Sequence, residues 1–473
     1  MAAKTKLADV AIDGPVPARR GVVIWSSTAL LICSNGPTSY LLLHVFNRGG
    51  GGHAWISLYP FTAVAVAGVI SLARRLRSDA VRNWPFVVFA VFAYVGWALL
   101  SAVWSVSSTT TATNAMIGIG IAAFGCWFGW CLTTAEQIWS AVLACSTAVM
   151  ASAVVIAFLP QYGKTYPDLF PDSLWLGIFT NRNYLAPVCA LGLIALVGFV
   201  ALRPRSRRIL AASSLASVHV ILLRGSGGAT SLAALGLAGF VALLVPAVWL
   251  LKRLGARGFA VGGVAALGAG GGSVWTFVNI ERVASWMGRD TTLDGRRPIW
   301  REVRGFIREH PIRGYGFWAF WDRPDLTAAT YARLGNYYSH AHNSVFEVML
   351  GLGVIGLVFY LAVVLSALVG VAQFVWTRSC VGSWWWAAVL AFLVVQNLTE
   401  SFVLMHSYNW VLFIAAAFVL FGPRSDPPVQ SGESIAASPV NAAISPDGIE
   451  APTVHNPPME ASPQAASRTS SLN

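Results

Sequence analysis

Residues 344–376 read SVFEVMLGLGVIGLVFYLAVVLSALVGVAQFVW, a run in which Glu347 is the only charged residue. A helical run of about 20 apolar residues crosses a hydrocarbon layer of about 30 Å. This run is longer than that, so it is expected either to tilt or to extend past the membrane. Comparable runs recur with short polar gaps at 22–46, 54–73, 84–105, 113–132, 138–160, 184–202, 208–223, 228–251, 257–279, 383–402 and 406–422, the first of them interrupted by Ser34, Asn35, Gly36 and Pro37. Across 473 positions the residues are 56% hydrophobic and 11% charged, more apolar material than one soluble core conceals. The excess faces lipid. Gly-, Ala- and Leu-rich runs lack the alternation and the roughly ten-residue length of barrel strands, so the spans are helices. The expected fold is all-α: a polytopic integral membrane protein of about 12 transmembrane helices.

The formal charge of +12 suggests nucleic acid at first sight, but the placement of the cations suits a membrane better. They cluster at every second loop: Lys4, Lys6, Arg19 and Arg20 before the first run, then Arg74, Arg75, Arg77 and Arg82, then Arg203, Arg205, Arg207 and Arg208, then Lys252, Arg253 and Arg257. The alternate short loops hold little more than Arg48, Lys164, Arg182 and Arg224. The positive-inside bias therefore predicts cytoplasmic termini and an even number of spans. The basic leader is followed by no small-residue cleavage site, so the first run reads as a retained span. The six cysteines lie in or beside apolar runs without pairing or metal-ligand spacing and read as small hydrophobes.

The chain divides into a cytoplasmic segment 1–21, helices one to nine over 22–279, a large extracytoplasmic loop 280–343, helices ten to twelve over 344–422, and a Pro-, Ser- and Ala-rich tail 423–473 that reads as disordered. The large loop carries ten arginines against seven Asp and Glu before His340, a basic cap suited to an anionic ligand. Within it, Pro298 with Ile299, Val303, Phe306 and Ile307 predicts an amphipathic helix ending before Pro311 and lying on the membrane surface. Gly314-Tyr315-Gly316-Phe317-Trp318-Ala319-Phe320-Trp321 then reads as a flexible turn and an aromatic patch, either an interfacial belt or a sugar-stacking platform.

The loop ends in Ser339-His340-Ala341-His342-Asn343-Ser344-Val345-Phe346-Glu347. Ser344 and Glu347 have capping-box spacing, which predicts a helix N-terminus just after His342. Its partial positive charge favours a neutral imidazole, as a general base requires, and attracts phosphate. Spacing alone equally allows His342 simply to join the capping network. Asp168 with Asp172 and Asp322 with Asp325 are the close acidic pairs of the outer loops, and neither has a His or Asp-x-Asp companion, so no metal site is expected. Glu400 and His219 stand at or near span ends, where a solvated structural role is the expectation.

His342-Asn343, with Gly353 and Gly356 downstream, resembles the signature of the O-antigen ligase and Wzy-type polysaccharide polymerase superfamily. Gly295-Arg296 with Ile299-Trp300, then Pro311 and Gly314-Tyr315-Gly316, resembles the stretch that precedes that histidine. Asn397-Leu398-Thr399-Glu400-Ser401 resembles a late motif of the succinoglycan-polymerase-like branch. The likeness covers roughly residues 170–420. It departs at Asn181-Arg182-Asn183, where related chains often have a His-Lys-Asn-like sequence, and at Arg224-Gly225-Ser226-Gly227-Gly228, where the basic residue is displaced.

The resemblance implies a GT-C-like membrane glycosyltransferase. Such an enzyme moves a glycan from a polyprenyl diphosphate carrier to an acceptor hydroxyl on a glycan or lipid-glycan outside the cytoplasm, without cofactor, metal or nucleic acid. It implies His342 as the base and Arg296, then Arg182, Arg224 and Arg297, as the diphosphate-binding residues, since arginine offers fixed, bidentate charge. Asn343, His340 and Tyr338 fall to orientation or the acceptor groove. The polymerase branch matches better than the ligases around Pro311 to Trp321 and Asn397 to Ser401. The rival class is a transporter or flippase for lipid-linked glycan. Against it, the two halves of the chain do not resemble each other and the ionisable residues gather toward one surface.

Overall fold

The structure, a computed structural model, describes residues 19–34, 59–78, 86–165, 174–179, 181–253, 296–335, 338–378, 380–401 and 407–421. These residues form α1 (Arg20–Cys33), α2 (Tyr59–Ser78), α3 (Phe86–Leu100, prolonged by a 3-10 turn at Ser101–Val103), α4 (Ser108–Cys131), α5 (Thr134–Phe158), α6 (Arg182–Leu202), α7 (Ser206–Gly225), α8 (Ala229–Arg253), α9 (Arg296–Glu309), α10 (Pro324–Leu334), α11 (Ser344–Thr377), α12 (Val381–Thr399) and α13 (Tyr408–Ala417), with a single helical turn at Pro160–Gly163. The one β element among the described residues is an isolated antiparallel bridge between Lys164 and Trp175. Among the described residues seven stretches, Phe86–Val103, α4 to α7, α11 and α12, are long and apolar enough to cross a membrane. The protein is thus an all-helical, polytopic membrane protein. The expected span at 257–279, the second half of the first span and the tail from 422 lie outside the described residues.

Lipid removes most of the hydrophobic drive that joins helices in water, so spans associate where small side chains let backbones approach. α4 does this on two faces. A β-carbon on Gly120 would stand 2.2 Å from the Ala65 β-carbon of α2, and one on Gly129 would stand 2.7 Å from the Ala415 backbone of α13. α13 is apolar from Trp410 onward and every one of its residues is buried, as befits a helix at the centre of the bundle. α11 instead shows two apolar faces. Gly356, Tyr360, Val363, Ala367 and Val371 point inward, while Val354, Val358, Leu361 and Leu365 form an exposed stripe, the pattern of a helix between protein and lipid. At the end of the bundle away from Glu400, Thr133 and Glu136 form a capping box at the start of α5, and Arg19 bonds Glu136 at 2.9 Å, tying the chain before α1 to that helix.

The excess length of α11 has a structural cause: the helix breaks at Gly353, whose backbone has φ 65° and ψ −165°. From Val354 to Thr377 the rise is about 36 Å, enough to span the membrane, while its antiparallel neighbour α12 rises only about 28 Å from the same connection. A straight α11 would carry His342 well beyond the end of α12. The break turns the first segment, Ser344–Leu352, aside and returns His342 to Glu400, which follows α12 directly.

A broken helix leaves backbone groups without partners, and these must be met inside the protein. The Tyr315 and Gly316 amides donate to the Leu350 and Gly351 carbonyls at 2.9 Å each, the Val354 amide donates to Pro311, and Trp97 Nε1 donates to the Leu352 carbonyl. Gly314-Tyr315-Gly316 is therefore a fixed backbone plug in the kink, in contrast to the flexible turn expected from its glycines. A β-carbon on Gly353 would lie 2.2 Å from the Ile312 carbonyl group, and one on Gly314 2.5 Å from Gly351. Gly353→Ala is predicted to destabilise the protein by about 3 kcal/mol, from left-handed backbone strain and overpacking together. Gly118→Ala, in α4 with open space around it, is predicted to be silent. Thermal unfolding in detergent compares the two, and an unchanged midpoint for Gly353→Ala contradicts the plug.

Candidate active site

α12 ends in Asn397-Leu398-Thr399, and the next residue, Glu400, is its C-cap with 2% of its surface exposed. Four side chains from distant parts of the chain donate to this carboxylate. Asn183 Nδ2, at the start of α6, and Arg296 Nη2, the first residue of α9, reach Oε1 at 2.9 and 2.6 Å. His340 Nε2 and His342 Nδ1, from the segment before α11, reach Oε2 at 3.2 and 2.8 Å. The Glu400 amide is held by the Gln396 carbonyl at 2.8 Å, and its own carbonyl accepts from Ser344 Oγ. Both members of the Arg296–Glu400 pair are buried, so removing either one alone strands a charge at about 3–5 kcal/mol. The expectation of a solvated, structural Glu400 is therefore wrong: it is the hub of a buried polar cluster. His219, expected to be solvated, is likewise fully buried, in α7, and bonds the Leu215 carbonyl.

The histidine segment is fastened on both sides. The Ala341 amide donates to Glu347 Oε2 and its carbonyl accepts from Trp300 Nε1. Glu347 also takes the Trp321 indole N–H at 2.7 Å. The expected Ser344–Glu347 capping box does not form, because both residues are engaged elsewhere. The N-cap is Asn343, whose Oδ1 accepts from the Val345 and Phe346 amides while its Nδ2 donates to the Leu398 carbonyl. Between these anchors His342 has φ 51°, a left-handed conformation that costs a non-glycine residue about 1–3 kcal/mol and persists only where the surroundings impose it.

The aromatic patch is neither a belt nor a stacking platform. Tyr315, Phe317, Phe320 and Trp321 are buried, and all but Phe317 form a small core with Ile299, Val303, Ala341 and Leu350. That core also takes the apolar face of α9, which was expected to lie on the membrane surface. Burying this face against protein fixes Arg296 at one end of α9 relative to Ala341 and hence to His342.

Of the residues expected at the site, Arg296, His340 and His342 meet on Glu400, and the Tyr338 ring stands edge-on to His342 with centroids 6.3 Å apart. Asn343 caps the helix. Arg182 flanks Asn183, and its guanidinium lies beside Gly227 in the turn after α7. Arg224 in the last turn of α7 and Arg297 in α9 are exposed, and neither bonds Glu400. Asn183 and Glu400 were the partners not foreseen, although both sit in motifs the sequence had singled out. Of the acidic pairs, Asp325 binds Arg323, and Asp168 and Asp172 lie outside the described residues.

His340, His342 and Glu400 offer three ligand atoms within 4.8 Å of one another, a spacing that a cation can bridge. The Arg296 guanidinium on the same carboxylate disfavours a second, doubly charged cation there, and both carboxylate oxygens already have donors.

Burial works against ionisation of Glu400, but the hydrogen bonds from His340 and His342 and the charge of Arg296 outweigh it and hold the carboxyl well below the usual carboxylate range. With the folded value depressed, the stabilisation is complete above the ordinary value of 4.5 and is lost as pH falls through the folded value. The gap in thermal midpoint between wild type and Glu400→Gln is predicted to stay level from neutral pH to about pH 5 and to narrow below that. A gap that widens on acidification contradicts the assignment.

A polytopic helical membrane protein with a buried histidine, arginine and carboxylate at the ends of its spans is the class that fold and site define. Residues 213–361 match the sequence model of the O-antigen ligase family, so this part of the chain is similar to the superfamily its motifs resemble. The match takes in Arg224, Arg296, Arg297, His340 and His342, and it excludes Arg182, Asn183 and Glu400. No curated protein matches the chain.

Proposed function

We propose that the protein is a membrane glycosyltransferase of surface polysaccharide synthesis, which transfers a polyprenyl-diphosphate-linked oligosaccharide to an acceptor hydroxyl, with polymerisation favoured over ligation. The family match supports an enzyme of the ligase or polymerase kind acting on lipid-linked glycan. The observation that carries the residue roles is the bond from His342 Nδ1 to Glu400. With the Nδ1 proton committed to the carboxylate, Nε2 is left as the acceptor, and among the described residues it has no hydrogen-bond partner.

In this reading the acceptor hydroxyl gives its proton to His342 Nε2 as its oxygen attacks the anomeric carbon. The bond from that carbon to the phosphate oxygen breaks, and its electron pair leaves on the diphosphate. Arg296 neutralises the departing charge, with Arg182, Arg224 and Arg297 around it. The proton passes from His342 to solvent. The products are a glycosidic bond of inverted configuration and free polyprenyl diphosphate, and no metal takes part.

The active face is extracytoplasmic and both termini are cytoplasmic in this reading. It is supported by the placement of Arg203, Arg205, Arg207 and Arg208 at the connection between α6 and α7, at the far ends of those helices from Arg182 and Arg224. The polymerase preference rests on the resemblance around Pro311 to Trp321 and Asn397 to Ser401.

His342→Ala and Arg296→Ala proteins are predicted to insert into the membrane and, per amount of folded protein, to lose turnover of polyprenyl-diphosphate glycan by about 10²-fold or more. The check is product formation in membrane vesicles, with and without a chelator. Wild-type turnover by both variants sinks the residue roles, and loss of wild-type turnover with chelator overturns the metal-free reaction. Deletion in the native host separates the acceptors. Single repeat units left on the acceptor mean a polymerase, whereas complete chains accumulating on the carrier mean a ligase.

A further inference from the structure

The diphosphate-binding arginine is already occupied. Arg296 Nη2 lies 2.6 Å from Glu400 Oε1, and its side chain is only 10% exposed. The other oxygen of the same carboxylate holds His342 Nδ1 at 2.8 Å. One buried anion thus engages both groups that glycosyl transfer would use, the cation for the leaving group and the imidazole for the proton. Around it, Asn183 shares Oε1, His340 shares Oε2, and Glu347 faces away, bound to Trp321 and the Ala341 amide. A guanidinium has five N–H donors in a planar fork. Among the described residues the Arg296 fork is engaged through Nη2 alone, so it can turn toward a second anion.

We propose that Glu400 is the positioning residue of this site: Oε2 sets the His342 tautomer that leaves Nε2 free, and Oε1 holds Arg296 as an internal stand-in for phosphate, until the diphosphate of the donor takes the guanidinium over. This rests on the glycosyltransferase reading above. Two consequences of opposite sign follow. The carboxylate competes with diphosphate for Arg296, and so weakens binding of that anion. The same carboxylate is needed for turnover, because without it the imidazole can take the wrong tautomer.

The test is inorganic diphosphate binding and glycan turnover, measured on the full-length protein in detergent and in vesicles. Glu400→Gln keeps the shape and removes the charge. It is expected to bind inorganic diphosphate about 10-fold more tightly, because Arg296 is no longer held by its internal anion. Its turnover is expected to fall by roughly 10²-fold or more, because the imidazole loses its orienting partner. Glu400→Asp is expected to recover part of the turnover. In an Arg296→Ala background, where no unpaired cation is left buried, Glu400→Gln is expected to give no gain in diphosphate affinity.

A residue with a purely structural role would lower both quantities together. Diphosphate binding by folded Glu400→Gln that is no tighter than wild type, including none by either, overturns the proposal, as does a gain that persists without Arg296. His342→Ala in the same assays separates the two levels. Full turnover by that variant removes the glycosyltransferase roles, whereas full turnover by Glu400→Gln removes only the part given to Glu400.

Discussion

A carboxylate buried at the end of a membrane-crossing helix must be neutralised by protein, because water is scarce there and burying an unpaired charge costs several kcal/mol. At Glu400 that requirement is met by donors from the start of α6, the start of α9 and the segment before α11. Meeting it determines where those segments end. The ion pair anchors α9 over α12, the two imidazole bonds draw the histidine segment onto the same point, and Asn183 brings in α6. The polar cluster is therefore both the site and the joint that fixes its parts.

The backbone of α11 answers to the same constraint. A span of α11's length cannot run straight and also present His342 to Glu400, so the helix breaks, and only a residue without a β-carbon fits the break at Gly353. The exposed backbone groups are then met by the loop that contains Gly314, Tyr315 and Gly316. That loop leads into the buried rings of Tyr315, Phe320 and Trp321, which support α9 and, through Trp321 and Glu347, the Ala341 amide. Packing, helix break and the geometry around Glu400 are one chain of dependence from Gly353 to His342.

The membrane class was legible in the apolar runs, because length and charge suffice to define a span. His342 and Arg296 stood out because their motifs lie at a predicted helix start and in a basic loop, and the structure brings both to Glu400. Glu400 was not, although it lies in a motif that was noticed. A sequence shows an acid near a span end and cannot show that Arg296, 104 positions away, closes over it. The aromatic run from Tyr315 to Trp321 misled for a related reason: composition gives the same answer for rings at a lipid interface and rings under a helix, and only the buried face of α9 distinguishes them. The capping box misled because Asn343 offers a better placed oxygen than Ser344, which Asn397 and the Glu400 carbonyl engage instead.

In the proposed site Glu400, 2.8 Å from His342 Nδ1, holds the imidazole proton there and leaves Nε2 bare. Nitrogen-15 NMR of the protein labelled at histidine reads this directly, with His342→Gln assigning the signal. The expected result is a protonated Nδ1 and an unprotonated Nε2 for His342 near neutral pH, with that preference lost in Glu400→Gln. A His342 protonated at Nε2 and bare at Nδ1 in the wild-type protein would contradict it.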